Sequence, residues 1–157
     1  MTELAMKDAC DLLDADHIAV KHLFVEYARQ AMAAPGQPGD RPALAERICQ
    51  ELTVHAQIEE EIFYPALRAV IDMPQLLDEA QAEHQQAKDL IAQIQGHGVA
   101  DPTLDDLVSR LAAAIEHHVK EERTQLFPKA RANPRLDLQE LGMRLKERQG
   151  ELMGQVA

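Results

Sequence analysis

Two stretches of the chain repeat one chemical pattern, a histidine followed four residues later by a glutamate. The first pair is His55 and Glu59 and the second is His118 and Glu122, and each pair precedes a hydrophobic pair and a proline. Residues four apart lie on one face of a helix, so each imidazole projects beside its carboxylate. Such donors suit iron, zinc or manganese, and two facing pairs could hold two ions with bridging carboxylates.

Proline and glycine divide the chain into four segments of helical length and a shorter C-terminal one. The breaks lie at residues 35–42, 72–74, 96–102 and 133–134. Aromatic residues make up only 3% of the 157 residues, while alanine, leucine and glutamate are abundant. This composition is typical of a helical protein, and the length favours one domain, residues 1–157.

Each long segment has apolar residues at alternating steps of three and four, and each such stripe contains a histidine. These histidines are His17, His55, His84 and His118. The pattern predicts an all-α fold, an antiparallel up-down-up-down four-helix bundle over about residues 10–131. Thr103 with Asp106 predicts a capping box at the start of the fourth helix. Leucines beyond Pro134 predict an additional short C-terminal helix over about residues 136–153.

Carboxylates on a core stripe need partners, because an unpaired buried charge costs several kcal/mol. A dinuclear metal site would satisfy the six polar groups on the four stripes together, with two imidazoles for each ion and both carboxylates bridging. The predicted ligands are His17, His55, Glu59, His84, His118 and Glu122. We expect other nearby groups to be outside the site, namely His22, His97, His117, Glu60, Glu61 and Glu121. Lone buried histidines in a metal-free interaction bundle are the alternative.

The succession of these motifs resembles the hemerythrin-like, or HHE cation-binding, family in its bacterial di-iron branch. The resemblance covers about residues 10–131 and implies two iron ions, oxo- or hydroxo-bridged, held by the six residues above, with zinc or manganese as substitutes. Oxygen-carrying hemerythrins add a histidine where this chain has Lys88, and their last carboxylate is an aspartate where it has Arg123. If Lys88 replaces a ligand, one iron has an open coordination position.

The charge and the N-terminus limit the partners and the location. With 27 acidic and 16 basic residues, the net charge is −11, which disfavours nucleic acid and anionic membranes. The N-terminus lacks the apolar stretch of a signal peptide, and no segment is long and apolar enough to span a bilayer. We therefore expect a cytoplasmic protein. Cys10 and Cys49 are expected to be small buried thiols.

Two functions fit these expectations. The first is a non-haem di-iron protein that binds or senses O2 or nitric oxide. The second is a di-iron enzyme that detoxifies nitric oxide or peroxide, or that acts in iron–sulphur-cluster repair. The repair proteins of the family usually carry an N-terminal domain with a cysteine, which this sequence lacks. The residues alone do not decide between binding and catalysis.

Overall fold

A computed structural model describes residues 7–34 and 36–156, without the side chains of 155 and 156. Residues 1–6, which carry much of the argument against a signal peptide, lie outside this range. All regular elements in the described part are helical, as predicted. In chain order they are α1 (Ala9–Ala33), α2 (Arg41–Ile58), a first π-helical turn (Glu59–Phe63), α3 (Tyr64–Val70), α4 (Pro74–His97), α5 (Pro102–Glu121), a second π-helical turn (Glu122–Leu126), α6 (Phe127–Ala132) and α7 (Leu138–Val156).

The long helices form the predicted four-helix bundle. Helix α1 packs beside α2 and α5, and α4 packs beside the same two helices on the opposite side. Neighbours in the bundle are therefore antiparallel and joined by short connections, which turns the stripe of each helix toward one axis.

A π-helical turn interrupts both motif-bearing helices at the same place. Each turn begins at the motif glutamate and ends two residues before the proline, Pro65 or Pro128. Proline has no N–H to donate, and its ring collides with the carbonyl oxygen four residues earlier, so a widened turn before it relieves the clash. The sequence repeat thus encodes a repeated backbone feature beside the polar layer.

The start of α5 differs from the predicted cap. Asp101, and not Thr103, is the N-cap, and its side chain accepts a hydrogen bond of 2.9 Å from the backbone N–H of Leu104. The capping box predicted for Thr103 and Asp106 is wrong because Pro102 already occupies the first helical turn. Gly98, with a φ of 70°, ends α4 in the left-handed conformation.

Helix α7 packs against α1, α2 and the first π-helical turn. It is the predicted C-terminal helix, and its 19 residues begin two residues later and end three residues later than the expected range of about 136–153. Gly142 lies where α7 crosses the start of α1, and a Cβ there would be 3.1 Å from the backbone nitrogen of Ala9. The missing side chain therefore permits a close approach of the two backbones.

The apolar core consists of two clusters, one on each side of a polar layer. The cluster near α7 includes Leu13, Phe63 and Leu145, whereas the cluster near the other end includes Ile48 and Leu111. Buried histidine and glutamate side chains lie between them. Within residues 7–34 and 36–156, no helix has the length and apolar character that crossing a membrane requires.

Candidate metal centre

The polar layer brings together all six residues that the sequence selected. His17, His55, His84 and His118 are between 5% and 7% exposed, and Glu59 and Glu122 are fully buried. The Nε2 atoms form two pairs, with 3.2 Å between His17 and His55 and 3.2 Å between His84 and His118. Four helices therefore aim six donors into one small volume.

The donors fall into two sets, each with ligand atoms within 4.8 Å of one another. The first set contains His17, His55, Glu59 and Glu122. The second contains His84 and His118 with the same Glu59. Because Glu59 belongs to both sets, its carboxylate lies where it could bridge two ions.

Glu122 also reaches both sides of the layer. Its Oε1 lies 3.1 Å from Nε2 of His17, and its Oε2 lies 3.3 Å from Nε2 of His118. Oε1 of Glu122 and Oε2 of Glu59 nevertheless accept no well-directed hydrogen bond from any described residue. Buried carboxylate oxygens without donors are costly, and a cation between the histidine pairs would satisfy them. The donor set of imidazoles and carboxylates fits iron, zinc or manganese.

Tyr64 adds a hydroxyl group to the centre. Its side chain is fully buried, and its Oη lies 2.6 Å from Oε2 of Glu122 and 3.2 Å from Oε1 of Glu59. The same oxygen is 3.3 Å from Nε2 of both His84 and His118. Tyr64 was not among the predicted site residues, and its position directly before Pro65 in the repeated motif is the signal in the sequence that could have indicated this role.

Phe127 occupies the matching position after the second π-helical turn. Its ring stacks on His17, with 6.1 Å between the centroids and an interplanar angle of 11°. The two copies of the motif therefore differ chemically, because one places a hydroxyl group on its side of the polar layer and the other places an apolar ring there. The two sides offer different surroundings to the atoms that they hold.

Each of the four buried histidines has a carboxylate on its Nδ1. Asp14 lies 3.3 Å from His17 and Asp16 lies 3.1 Å from His55. The remaining pairs are tighter, with 2.8 Å from Glu60 to His84 and 2.7 Å from Glu83 to His118. Such carboxylates hold Nδ1 as the donor, so that Nε2 can face a metal, and they make the imidazole more basic. These four outer carboxylates were not predicted from the sequence, because they lie on other helices or at helix-surface positions.

Glu60 is therefore not the exposed charge that was expected. Its side chain is 28% exposed and bonds both His84 and Nζ of Lys88, the latter at 2.9 Å. Lys88 thus bonds the outer partner of His84, and it also lines the small cavity that adjoins the four histidines. The second donor set has no further histidine in the place that Lys88 occupies.

The remaining residues that were expected to be outside the site lie outside the polar layer. His117 is 64% exposed by its side chain and pairs with Glu83, His97 pairs with Asp101, and Glu61 pairs with Arg148 of α7. His22 is exposed, and Glu121 faces His117. Cys10 and Cys49 are buried as expected, and burial raises the pKa of each thiol to about 12.

The charges in the layer stabilise one another. Burial lowers the pKa of His55, but the Glu59 charge and the Asp16 hydrogen bond outweigh this effect and raise it to about 10. Burial also lowers the pKa of His118, but hydrogen bonds with Glu122, Glu59 and Glu83 outweigh this effect and raise the pKa to about 12. Burial opposes ionisation of Glu59, yet the neighbouring imidazoles hold its pKa well below the ordinary range. A metal ion must therefore displace protons from these imidazoles.

A small cavity of about 30 Å³ adjoins the centre. All four buried histidines line it, and apolar side chains such as Leu52, Ile91 and Ile115 complete its wall. About 10–15 Å³ is enough for one water molecule on this scale, so the space fits a molecule of two or three atoms. Larger substrates do not fit in it.

The chain is similar to proteins of a family that is named for cation binding. The family model "Hemerythrin HHE cation binding domain" matches residues 8–130. A crystal structure of a hemerythrin HHE cation-binding domain-containing protein from Mycobacterium kansasii, a homologue of Rv2633c, superimposes with a TM-score of 0.77 at 28% identity. That superposition covers 96% of this chain and 90% of the other.

Two curated relatives are also similar. The uncharacterised protein Rv2633c of Mycobacterium tuberculosis is 27% identical over 149 residues, which cover 94% of this chain and 88% of that protein. A protein of a Nostoc species named DNA nickase is 32% identical over 129 residues, which cover 78% of this chain. The alignment spans only 33% of the nickase.

Proposed function

Because the chain belongs to the hemerythrin HHE cation-binding family, we propose that its polar layer holds two iron ions and binds O2 or nitric oxide there. The proposed ligands are His17, His55, Glu59, His84, His118 and Glu122, with Glu59 and Glu122 bridging. Zinc or manganese could substitute in the same donor set. When bound, the iron pair would supply reversible coordination of a small molecule and a redox couple.

The cavity of about 30 Å³ beside the four histidines is the observation that carries this proposal. Its apolar wall excludes water and favours a small, weakly polar molecule over a charged substrate. On the side of the second donor set, Lys88 lies one turn after His84 and bonds Glu60 at 2.9 Å, so it adds no imidazole to His84 and His118. We therefore propose that the open coordination position lies on the side of His84 and His118, where Lys88 stands in place of a further histidine.

Gas titration of the anaerobic, iron-loaded protein tests the proposal. O2 or nitric oxide should change the visible absorption spectrum. Ala87→Leu narrows the cavity, because Ala87 lines it and is 7% exposed, and should slow this change without loss of iron. Ala92→Leu, at an exposed position of the same helix, is the matched control. A spectrum that responds to neither gas would refute gas binding.

Catalysis is a second candidate because Tyr64 places a hydroxyl proton at the centre. Burial and the charges of Glu59 and Glu122 raise the pKa of Tyr64 well above its ordinary value, so it keeps this proton. A buried donor 2.6 Å from Glu122 could pass a proton during breakdown of peroxide or reduction of nitric oxide. Turnover faster than that of free iron, and lost in Tyr64→Phe with iron content unchanged, would support the enzyme. Iron–sulphur-cluster repair stays a prediction without a specific contact in its favour.

The likeness to the DNA nickase does not make DNA a proposed partner. The net charge of −11 repels a phosphate backbone, and the alignment leaves about two thirds of the nickase unmatched. We propose that the similarity reflects the shared fold of the 129 aligned residues. A cytoplasmic location likewise stays a prediction.

A further inference from the structure

A second, much larger depression lies between α1 and α5. This α1–α5 groove has a volume of about 390 Å³, within the range of small-molecule sites. Its lining includes Lys21, Phe24, Val25, Ala28, Ile115 and Lys120. It adjoins the cavity beside the four histidines, with which it shares His17, Ile115 and Val119, and it is too large for a diatomic gas alone.

The register of the two antiparallel helices separates the charges of the groove from its apolar part. Arg123 bonds Asp14 at one end, and Tyr27 bonds Asp105 at the other. Lys120 and Arg123 therefore lie near His17, whereas Ala28 and Ala112 lie toward the far end. One end of the groove is cationic and the other is apolar.

The cationic end stands out against an acidic protein. Three cations, Lys21, Lys120 and Arg123, and a single carboxylate, Glu116, line the groove, although the whole chain carries −11. Lys21 and Lys120 are exposed and form no side-chain ion pair with another described residue. Arg123 is partly neutralised by Asp14 at 2.6 Å. Glu116 lies one turn before Lys120 and offsets part of this charge, but the two lysines outnumber it and remain for an anionic group from outside.

The apolar end exposes side chains that a ligand would cover. Val25 is 57% exposed, and Phe24 and Ile115 are only half-buried. From His17 to Ala28, α1 rises about 16 Å, at 1.5 Å per residue. An extended chain advances roughly 1.2 Å per bond, since three backbone bonds span about 3.6 Å, so about 13 bonds fit along the groove.

We propose that the α1–α5 groove binds a fatty acid of about twelve carbons. The carboxylate lies between Lys21 and Lys120, and the alkyl chain covers Phe24, Val25 and Ile115. The polarity, length and volume of the groove all match a single-chain anionic amphiphile. This site uses no atom of the polar layer as a ligand and does not depend on bound metal.

Calorimetric titration of the metal-free full chain with dodecanoate, below its micelle concentration, tests the proposal. We expect one molecule bound per chain. Full burial of a methylene strengthens binding about fourfold, and the half-open groove should give about twofold. Octanoate should therefore bind roughly 16-fold more weakly than dodecanoate. Dodecylammonium should bind more weakly still, because its head group has the wrong charge.

Two pairs of variants distinguish binding in the groove from non-specific binding of dodecanoate to the protein surface. The double variant Lys21→Glu, Lys120→Glu should weaken dodecanoate binding about tenfold. The control Lys146→Glu, at an exposed position of α7, should leave dodecanoate binding unchanged. Ala28→Trp fills the groove and should abolish binding. Ala113→Trp, at an exposed position of α5 outside the lining, is its control. Circular dichroism melting checks that each variant is folded.

Three results would overturn the proposal. They are no heat of binding with dodecanoate, equal affinities for dodecylammonium and dodecanoate, or an equal loss of dodecanoate affinity in a variant and its control. Sedimentation showing a dimer that only Ala28→Trp disrupts would assign the groove to a second copy of the chain instead. With iron loaded, dodecanoate should also alter the visible spectrum, because His17 lines the groove. Only this last readout rests on the proposed function, so a metal-free protein that binds dodecanoate keeps the groove assignment even if the iron proposal fails.

Discussion

Glu83 is predicted to determine how tightly the His84–His118 side of the centre holds its metal. Its Oε1 lies 2.7 Å from Nδ1 of His118, and its side chain is only 14% exposed. Glu83→Gln retains the shape and an acceptor oxygen but removes the charge that makes the imidazole a stronger donor. Glu83→Ala removes both the charge and the orientation.

The expected magnitude follows from this difference. Loss of a carboxylate behind a metal-binding histidine costs about 10- to 100-fold in affinity. We expect Glu83→Gln to lie near the lower limit, at about tenfold or roughly 1.4 kcal/mol, because an acceptor remains. Glu83→Ala should approach 100-fold. Glu60→Gln should weaken the same side of the centre to a similar extent, because it acts through His84.

Competition against a coloured chelator for ferrous iron, measured anaerobically at neutral pH, gives the affinity. Glu79→Gln is the matched control, since Glu79 is exposed and lies one turn before Glu83 on α4. His117→Gln removes the outer partner of Glu83, at 3.2 Å, and should change the affinity by no more than about twofold. Equal affinity in Glu83→Gln and Glu79→Gln would refute the argument that the outer carboxylates support the centre.

Three further predictions concern stability. Tyr64→Phe removes the hydrogen bond to Glu122 and should cost the metal-free protein about 1.5–3 kcal/mol, or about 3–12 °C in Tm; an unchanged Tm by calorimetry would show that Tyr64 does not stabilise the carboxylates. The pKa values of His55 and His118, about 10 and about 12, lie above the ordinary 6.5. The stability that their protonation provides is therefore complete below pH 6.5 and declines as the pH rises toward 10. The Tm of the metal-free protein should fall over this range and that of the iron-loaded protein should fall less; parallel curves would contradict the assignment. Finally, Gly150→Ala, with nothing within 4 Å of the new Cβ, should raise the Tm by about 2–4 °C. Gly142→Ala presses on the backbone of Ala9 and should not raise it; an equal rise would disprove the close approach.

The bundle and its polar layer could be predicted from sequence because both depend on periodicity. A histidine or glutamate that follows the apolar stripe of its own helix must face the bundle axis, whatever the details of packing. The choice of His118 over His117 rested on aligning the two motifs at Pro65 and Pro128, and the structure places His118 inside and His117 outside. The four-helix pattern also required no knowledge of long-range contacts.

Features that depend on contacts between helices were not predictable in the same way. Glu60 and Glu83 lie beside the core stripes and read as surface charges until a histidine from another helix reaches them. Tyr64 turns inward because Pro65 widens the preceding turn, an effect that a fixed helical period does not contain. The cap at Asp101 was missed, and the ends of α7 are shifted by two and three residues from the expected ones, because helix ends depend on local competition between caps.

Iron content, with the Mössbauer spectrum of the anaerobically reconstituted chain, tests the central claim most directly. We expect two iron ions per chain in one coupled centre, and less than one in a chain that lacks the carboxylates of both Glu59 and Glu122. Glu79→Gln should retain both ions. A single uncoupled iron, or full iron content after loss of both carboxylates, would contradict a bridged pair in the polar layer.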